Sequence, residues 1–290
     1  MALCSLKELM PYAEKHRLAV GAFNVGSMEM LMGVVAAAEE TNRPIILQIA
    51  EKRLKASPLD LMGPMMVRAA RFSNVDIAVQ FDHAVSFPLM EKAAEIGFTS
   101  IMFDGSHLTF TDNIRETANI VSWARNRGLS LEAEIGELGG SEGGPERKAV
   151  YTDPDEAVEF AEKTGCDALS VAIGNAHGHY KGKPKLNFDV LKTIHGCVSG
   201  TPLVLHGGSG IPAGDFQKAI ELGVRKINIA TAVFDAEVSG ARHYLDRGEF
   251  HNNAAMPDYF GMNEAIVNAV RVAAVEHIKI FNSRDINEIR

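Results

Sequence analysis

Three histidines stand where apolar runs end: His83 after "VDIAVQFD", His177 within "IGNAHGHY" and His206 after "PLVL". Three neutral imidazoles around a divalent ion leave a position open for water or substrate, which is the arrangement of a catalytic zinc centre. His179 offers itself in place of His177, and spacing alone does not separate them; His107, in "FDGSH", lies near the same rim. Acids accompany these rings. Asp82 directly precedes His83, where it can act as an acid or base or orient the imidazole. Glu132 and Glu134 alternate along one run and so point to the same side. Asp104 and Glu134 read as alternative metal ligands or as partners bonded behind the ligands, and Glu132 reads as a salt-bridged or solvated acid. Glu142 lies in "GELGGSEGGPERKAVYT" (136–152), a glycine-rich loop able to carry a carboxylate onto bound substrate.

A second kind of chemistry follows His206. Gly207, Gly208 and Gly210, with Ser209, precede a helix opened near Pro212. Bare backbone N–H groups beside a helix N-terminus make an anion site. The stretch Asn228, Ile229, Ala230 and Thr231 supplies a neighbouring loop for the same anion. Asn24 ends another apolar run and joins the polar set.

Residues so widely separated meet only if the fold gathers them. Short β-rich runs recur at 18–23, 44–49, 75–81, 99–103, 129–135, 167–173, 202–206 and 226–230. They are nearly continuous in apolar residues, as parallel strands covered on both faces are. Amphipathic helical stretches separate them. Ser27 caps one, Asp153-Pro154 opens another that closes at Gly165, and Pro212 opens a third that closes at Gly223. Eight such units predict an α/β fold, a closed (β/α)8 TIM barrel forming a single domain over 1–290. A helix at about 5–16 would cap it and extra C-terminal helices would flank it. In such a barrel the C-terminal ends of the strands carry the chemistry, and the polar residues above fall at those ends.

Composition narrows the partners. The 290 residues carry a formal charge of -8 without a basic block, which argues against a nucleic-acid surface or a polybasic membrane patch. No apolar run approaches the roughly 18–20 residues that cross a bilayer. The first residues mix charge with apolar positions, unlike a secretory signal. Cys4, Cys166 and Cys197 are few and scattered, which suits a reducing cytoplasm. The remaining histidines (16, 195, 243, 251 and 277) read as solvated.

"EAEIGELGGSE" (132–142), "DHA" (82–84), "NAHGHY" (175–180), "VLHGGSG" (204–210) and "KINIAT" (226–231) together resemble the class II, zinc-dependent ketose-bisphosphate aldolases, nearer the tagatose-bisphosphate branch than the longer fructose-bisphosphate enzymes. The resemblance implies that His83, His177 and His206 bind one catalytic zinc per subunit, so that His177 rather than His179 is the ligand. It implies Asp82 as acid/base at the aldol hydroxyl and Glu142 as the mobile group that moves the proton on the phosphate-bearing half. Gly178, Gly207, Gly208, Ser209 and Asn228 through Thr231 would hold the dihydroxyacetone-phosphate phosphate, with a monovalent cation (Na+ or K+) nearby. Asp104 and Glu134 match positions that contact zinc when it shifts, and Asn24 is a candidate substrate contact. A phosphorylated sugar is the implied substrate, and a cytoplasmic homodimer or homotetramer the implied form. Lys226, read as the start of the last strand, lies at the wrong end for a Schiff base.

Two positions depart from the family pattern. Gln80 stands where histidine is usual, and Ala232-Val233 follows where an acid is usual. With no arginine assigned to a distal phosphate, a ketose carrying the 1-phosphate alone stays open. Two other readings compete: a zinc-dependent hydrolase on the same barrel, and a non-catalytic subunit assisting a partner aldolase.

Overall fold

The computed structural model describes residues 2–136, 138–140, 150–180, 182–246 and 257–283. Eight parallel strands form its centre: β1 (Val20–Asn24), β2 (Ile45–Ala50), β3 (Ile77–Ala84), β4 (Ser100–Phe103), β5 (Ser130–Ile135), β6 (Ala168–Val171), β7 (Leu203–Leu205) and β8 (Val224–Ile229). Each pairs with its neighbours in chain order, and β8 pairs with β1, so the sheet closes into the expected TIM barrel. Every residue of these strands is buried, which accounts for the largely apolar runs.

Between the strands run α2 (Met28–Thr41), α3 (Leu59–Phe72), α4 (Phe87–Ile96), α5 (Phe110–Arg125), α6 (Pro154–Thr164), α7 (Phe188–Cys197) and α8 (Ala213–Glu221), and α9 (Thr231–Asp246) follows β8. The Ser27 hydroxyl accepts from the Met30 N–H and the Asp153 carboxylate from the N–H groups of Asp155 and Glu156, as side-chain caps should. Pro212 is itself the cap of α8, one position earlier than the sequence reading places it, because its extended ψ of 147° is not helical.

Both termini cover the barrel. Leu3–Cys4 adds to β3 at the barrel floor, and α1 (Leu6–His16) lies across the N-terminal mouth. Leu6, Leu9, Met10 and Ala13 pack there on Val20, Ala22, Ile46 and Ala78, so the lower interior is an apolar plug. One helix beyond the barrel set is described at the C-terminal end, α10 (Tyr259–Asn282), and it packs on α2 and α9. Ile266, Val270, Ala274 and Ile278 are buried at four-residue spacing. His277 on this helix is not solvated as expected: its ring packs against Phe216 and Phe281 and its Nδ1 lies 2.8 Å from the Ala273 carbonyl. No described helix is long and apolar enough to cross a membrane.

Candidate active site

Inward-facing positions alternate along each strand, and above the apolar plug they turn polar: Gln48 on β2, Gln80 and Asp82 on β3, Glu132 and Glu134 on β5, Lys226 and Asn228 on β8. All are 5% exposed or less. The pleat would send Asp82 and its neighbour His83 to opposite faces. Instead the β3–β4 register shifts between Phe81 and Ala84, and His83 adopts φ +46°. This bulge in the left-handed region, costly for a residue with a Cβ, lets both side chains enter the same site.

His83, His177 and His206 converge there, each offering a nitrogen within 4.8 Å of the others. Their ring centroids are 4.8, 5.0 and 6.0 Å apart. His177 is fixed by a two-residue strand, Ala176–His177, paired with Gly139–Gly140. His179 turns away: its ring is exposed and its Nε2 bonds Asp235 at 2.8 Å. His107 is exposed and outside the cluster.

The donor set fits a metal ion. His83 Nδ1 faces Asp104 Oδ2 at 3.1 Å, and His206 Nε2 faces Glu132 Oε1 at 2.7 Å. A neutral ring that donates to its carboxylate has only a lone pair on its other nitrogen. Those other nitrogens, His83 Nε2 and His206 Nδ1, face each other at 3.0 Å. Two lone pairs so placed repel unless a cation draws on both.

Electrostatics sort the acids. Burial pushes the Asp104 carboxyl up, but its bonds to the His83 ring and to the Ser106 hydroxyl and N–H outweigh it and hold Asp104 below the usual range. Burial likewise works against ionised Glu132, and the Lys226 ammonium beside it prevails, leaving it at about 2. Burial, with the charge of Asp104, raises Glu134 to about 8; it accepts from Ser170 Oγ and lies 3.8 Å from His206. Burial also lowers His206 to about 4, against the opposing bond that the ring donates to Glu132, so the ring is neutral as a ligand must be.

Lys226 corrects the sequence reading. It is the third residue of β8, not the first, and its fully buried ammonium meets Glu132 Oε2 at 2.8 Å and Asn228 Oδ1. Glu132 is therefore salt-bridged in the barrel interior, with no part of it solvated. Asp82 is held by amides: Oδ2 accepts from Asn24 Nδ2 at 3.1 Å and Gln48 Nε2 at 3.2 Å, and Asn228 Nδ2 lies 3.5 Å from Oδ1. Asn228 thus turns its side chain to Asp82 and His206 while its carbonyl accepts from the Gly208 N–H.

The two candidate anion loops lie side by side. Ser209 Oγ accepts from the Ala232 N–H at 3.0 Å, tying the loop after β7 to the first turn of α9, which begins at Thr231 after Ile229 and Ala230. Gly207 has φ +63°, and a Cβ there would come within 2.2 Å of the Ala176 carbonyl oxygen. Two residues beyond the candidate set brace this corner: Asn175 Nδ2 donates to the His206 carbonyl, and Tyr180 OH bridges the Ala176 N–H and the Gly207 carbonyl. Only their position inside "NAHGHY" signalled them. Gly178, next to His177, also has positive φ. Glu142 lies outside the described residues, which before it stop at Gly140, paired opposite His177, and resume at Val150. Replacing Gly207 by alanine is expected to cost at least ~1–2 kcal/mol, from the left-handed backbone alone, and to displace Ala176 and with it His177. Thermal melting should fall by several degrees and metal affinity with it; a variant with unchanged melting and affinity would contradict the packing described.

The chain matches the family described as fructose-bisphosphate aldolase class-II over residues 4–286. A fructose-bisphosphate aldolase of Staphylococcus epidermidis is 39% identical over 250 residues, 85% of this chain and 87% of that protein. The Escherichia coli K12 protein YdjI is 38% identical over 273 residues, covering 93% and 94% of the two chains. The crystal structure of the YdjI aldolase aligns with a TM-score of 0.85 at 35% identity, over 97% of this chain and 98% of that one. This chain belongs to the class II fructose-bisphosphate aldolase family. It is therefore an aldolase, a lyase of carbon–carbon bonds.

Proposed function

We propose that this aldolase uses zinc to cleave a phosphorylated ketose, a ketose 1-phosphate or a 1,6-bisphosphate such as tagatose or fructose bisphosphate, reversibly to dihydroxyacetone phosphate and an aldehyde. The observation that carries this reading is the convergence of three imidazoles on one point beside an amide-cradled carboxylate. His83, His177 and His206 would hold the ion, with Asp104 and Glu132 fixing two of the rings from behind. Bound there, zinc supplies positive charge that stabilises negative charge developing at the ketone end, worth several kcal/mol in the transition state.

Asp82 then takes the proton of the C4 hydroxyl. The electrons of that O–H bond form the aldehyde C=O, the C3–C4 bond breaks, and its pair passes into the enediolate of the phosphate-bearing half. Return of a proton to C3 completes dihydroxyacetone phosphate, a task assigned to Glu142 by resemblance alone. The amides of Asn24, Gln48 and Asn228 aim Asp82 without competing for its role, since each presents only N–H donors to it. The loops at Gly207–Ser209 and Asn228–Thr231, with Gly178, would anchor the phosphate, so that remote binding energy positions the reacting carbons. Lys226 is committed to Glu132 and Asn228, which speaks against a Schiff-base route.

The test is a panel of ketose 1-phosphates and 1,6-bisphosphates assayed for triose-phosphate release by the purified protein alone. Release from at least one member supports the reading, and the ratio between the two series says whether a distal phosphate is recognised. No release from any member, with a folded and metal-loaded protein, would overturn the substrate class proposed.

A further inference from the structure

The polar interior beneath the histidines contains a chain of hydrogen bonds whose far end, at Lys226 and Gln80, has no part in the cleavage chemistry. Glu132 Oε2 faces two groups at once, Lys226 Nζ at 2.8 Å and Gln80 Nε2 at 3.1 Å. An ammonium has only hydrogens to give. Gln80 must present its NH2, because the reverse orientation would set amide oxygen against carboxylate oxygen; its own Oε1 is left buried without a partner. With Oε2 filled by the buried ammonium and the Gln80 amide, the carboxylate presents Oε1 as an acceptor, and the group it meets is His206 Nε2 at 2.7 Å. That nitrogen therefore carries the ring's hydrogen, and Nδ1, which faces His83, carries the lone pair. The same ammonium bonds Asn228 Oδ1 and so turns the Asn228 amide hydrogens toward Asp82.

We propose that Lys226 and Gln80 are positioning residues that set the tautomer of His206 through Glu132, locking its proton on Nε2 so that Nδ1 is held as the metal-binding atom. Neither residue belongs to the three-ring cluster. This gives a purpose to a fully buried lysine–glutamate pair, an arrangement that on stability grounds alone is often no better than apolar side chains of similar volume. It also gives a purpose to glutamine at position 80. Oriented partners behind a ligating histidine typically change metal affinity by about 10–100-fold when removed.

The inference rests on the three-histidine metal reading, and two measurements keep the two apart. The full chain, metal-free and labelled with 15N at histidine, reports each ring's tautomer through long-range 1H–15N correlations, with His206 assigned by its loss in His206→Asn. The expected result is an Nε2–H ring with unprotonated Nδ1. The double variant Lys226→Met/Glu132→Gln removes both buried charges together and puts at position 132 an amide that offers NH2 as readily as C=O. Its His206 should show mixed tautomers, and its zinc affinity, measured by chelator competition, should fall about 10–100-fold although every ligand is present. Melting by circular dichroism separates this from unfolding. An Nδ1–H ring in the wild-type protein overturns the proposal, as does a folded double variant with wild-type tautomer and zinc affinity. Should the double variant not fold, the wild-type spectrum decides alone. A wild-type protein that binds no zinc but shows the Nε2–H tautomer refutes the metal reading and leaves the lock standing.

Discussion

Asp82→Asn is expected to lower kcat/KM for ketose cleavage by roughly 10²–10⁴, the range that a positioned acid or base contributes, with KM changed little. The substitution keeps volume and shape. Asn24 and Gln48 both donate to Oδ2, where the new amide's oxygen can sit, and the contact that turns unfavourable is the 3.5 Å approach of Asn228 to Oδ1. Folding and metal binding should therefore persist while the group that receives the hydroxyl proton is gone. The variant should also leave the phosphate anchor intact, since Gly207–Ser209 and the first turn of α9 are tied to each other through Ser209 rather than through Asp82. Steady-state kinetics on whichever ketose phosphate the wild type cleaves, with melting as control, measures this. A variant retaining more than a tenth of the activity would remove Asp82 from the proton-transfer role.

Metal removal should act at least as strongly as a typical loss at Asp82. Chelation is expected to abolish cleavage, by at least ~10³ if the ion contributes about 4 kcal/mol to the transition state, and added zinc should restore it. His177→Ala should give the same loss without a chelator, whereas His179→Ala should retain activity and metal. The structure separates the pair: His177 lies in the three-ring cluster and His179 is exposed on Asp235. Borohydride with dihydroxyacetone phosphate should not inactivate the protein, because Lys226 is held in a buried ion pair. Full activity in exhaustively demetallated protein would defeat the account of the site, as would equal losses at 177 and 179.

Much of this was legible in the chain. A parallel strand covered on both faces is mostly apolar, so the eight runs stand out, and the barrel follows from their alternation with helices capped by Ser27 and Asp153. The polar rim was legible as well, because a barrel strand's C-terminal end is a position in sequence: Asn24, Asp82, His83, His206 and Asn228 each stand at or near one. Errors arose where sequence distance misleads about height or partner. Lys226 looked remote because strand eight was begun two residues late; an extended lysine side chain also does its work above its own Cα, here level with Asn228. His277 looked solvated because a helical histidine gives no local sign of the aromatic rings that pack on it.

What the sequence determined by itself are the features with a local cause: strand pleat, helix caps, the glycines that a bare, tightly turned loop requires, and the order in which acids and imidazoles reach the barrel rim. What only the tertiary structure decided is pairing across strands. That Glu132 meets Lys226 and His206, that Asp82 lies among three amides, and that His83 leaves the pleat to share its neighbour's face depend on how far each strand is staggered against the next. Stagger is set by closing the ring of eight strands, a condition on all of them together that no single stretch of residues contains.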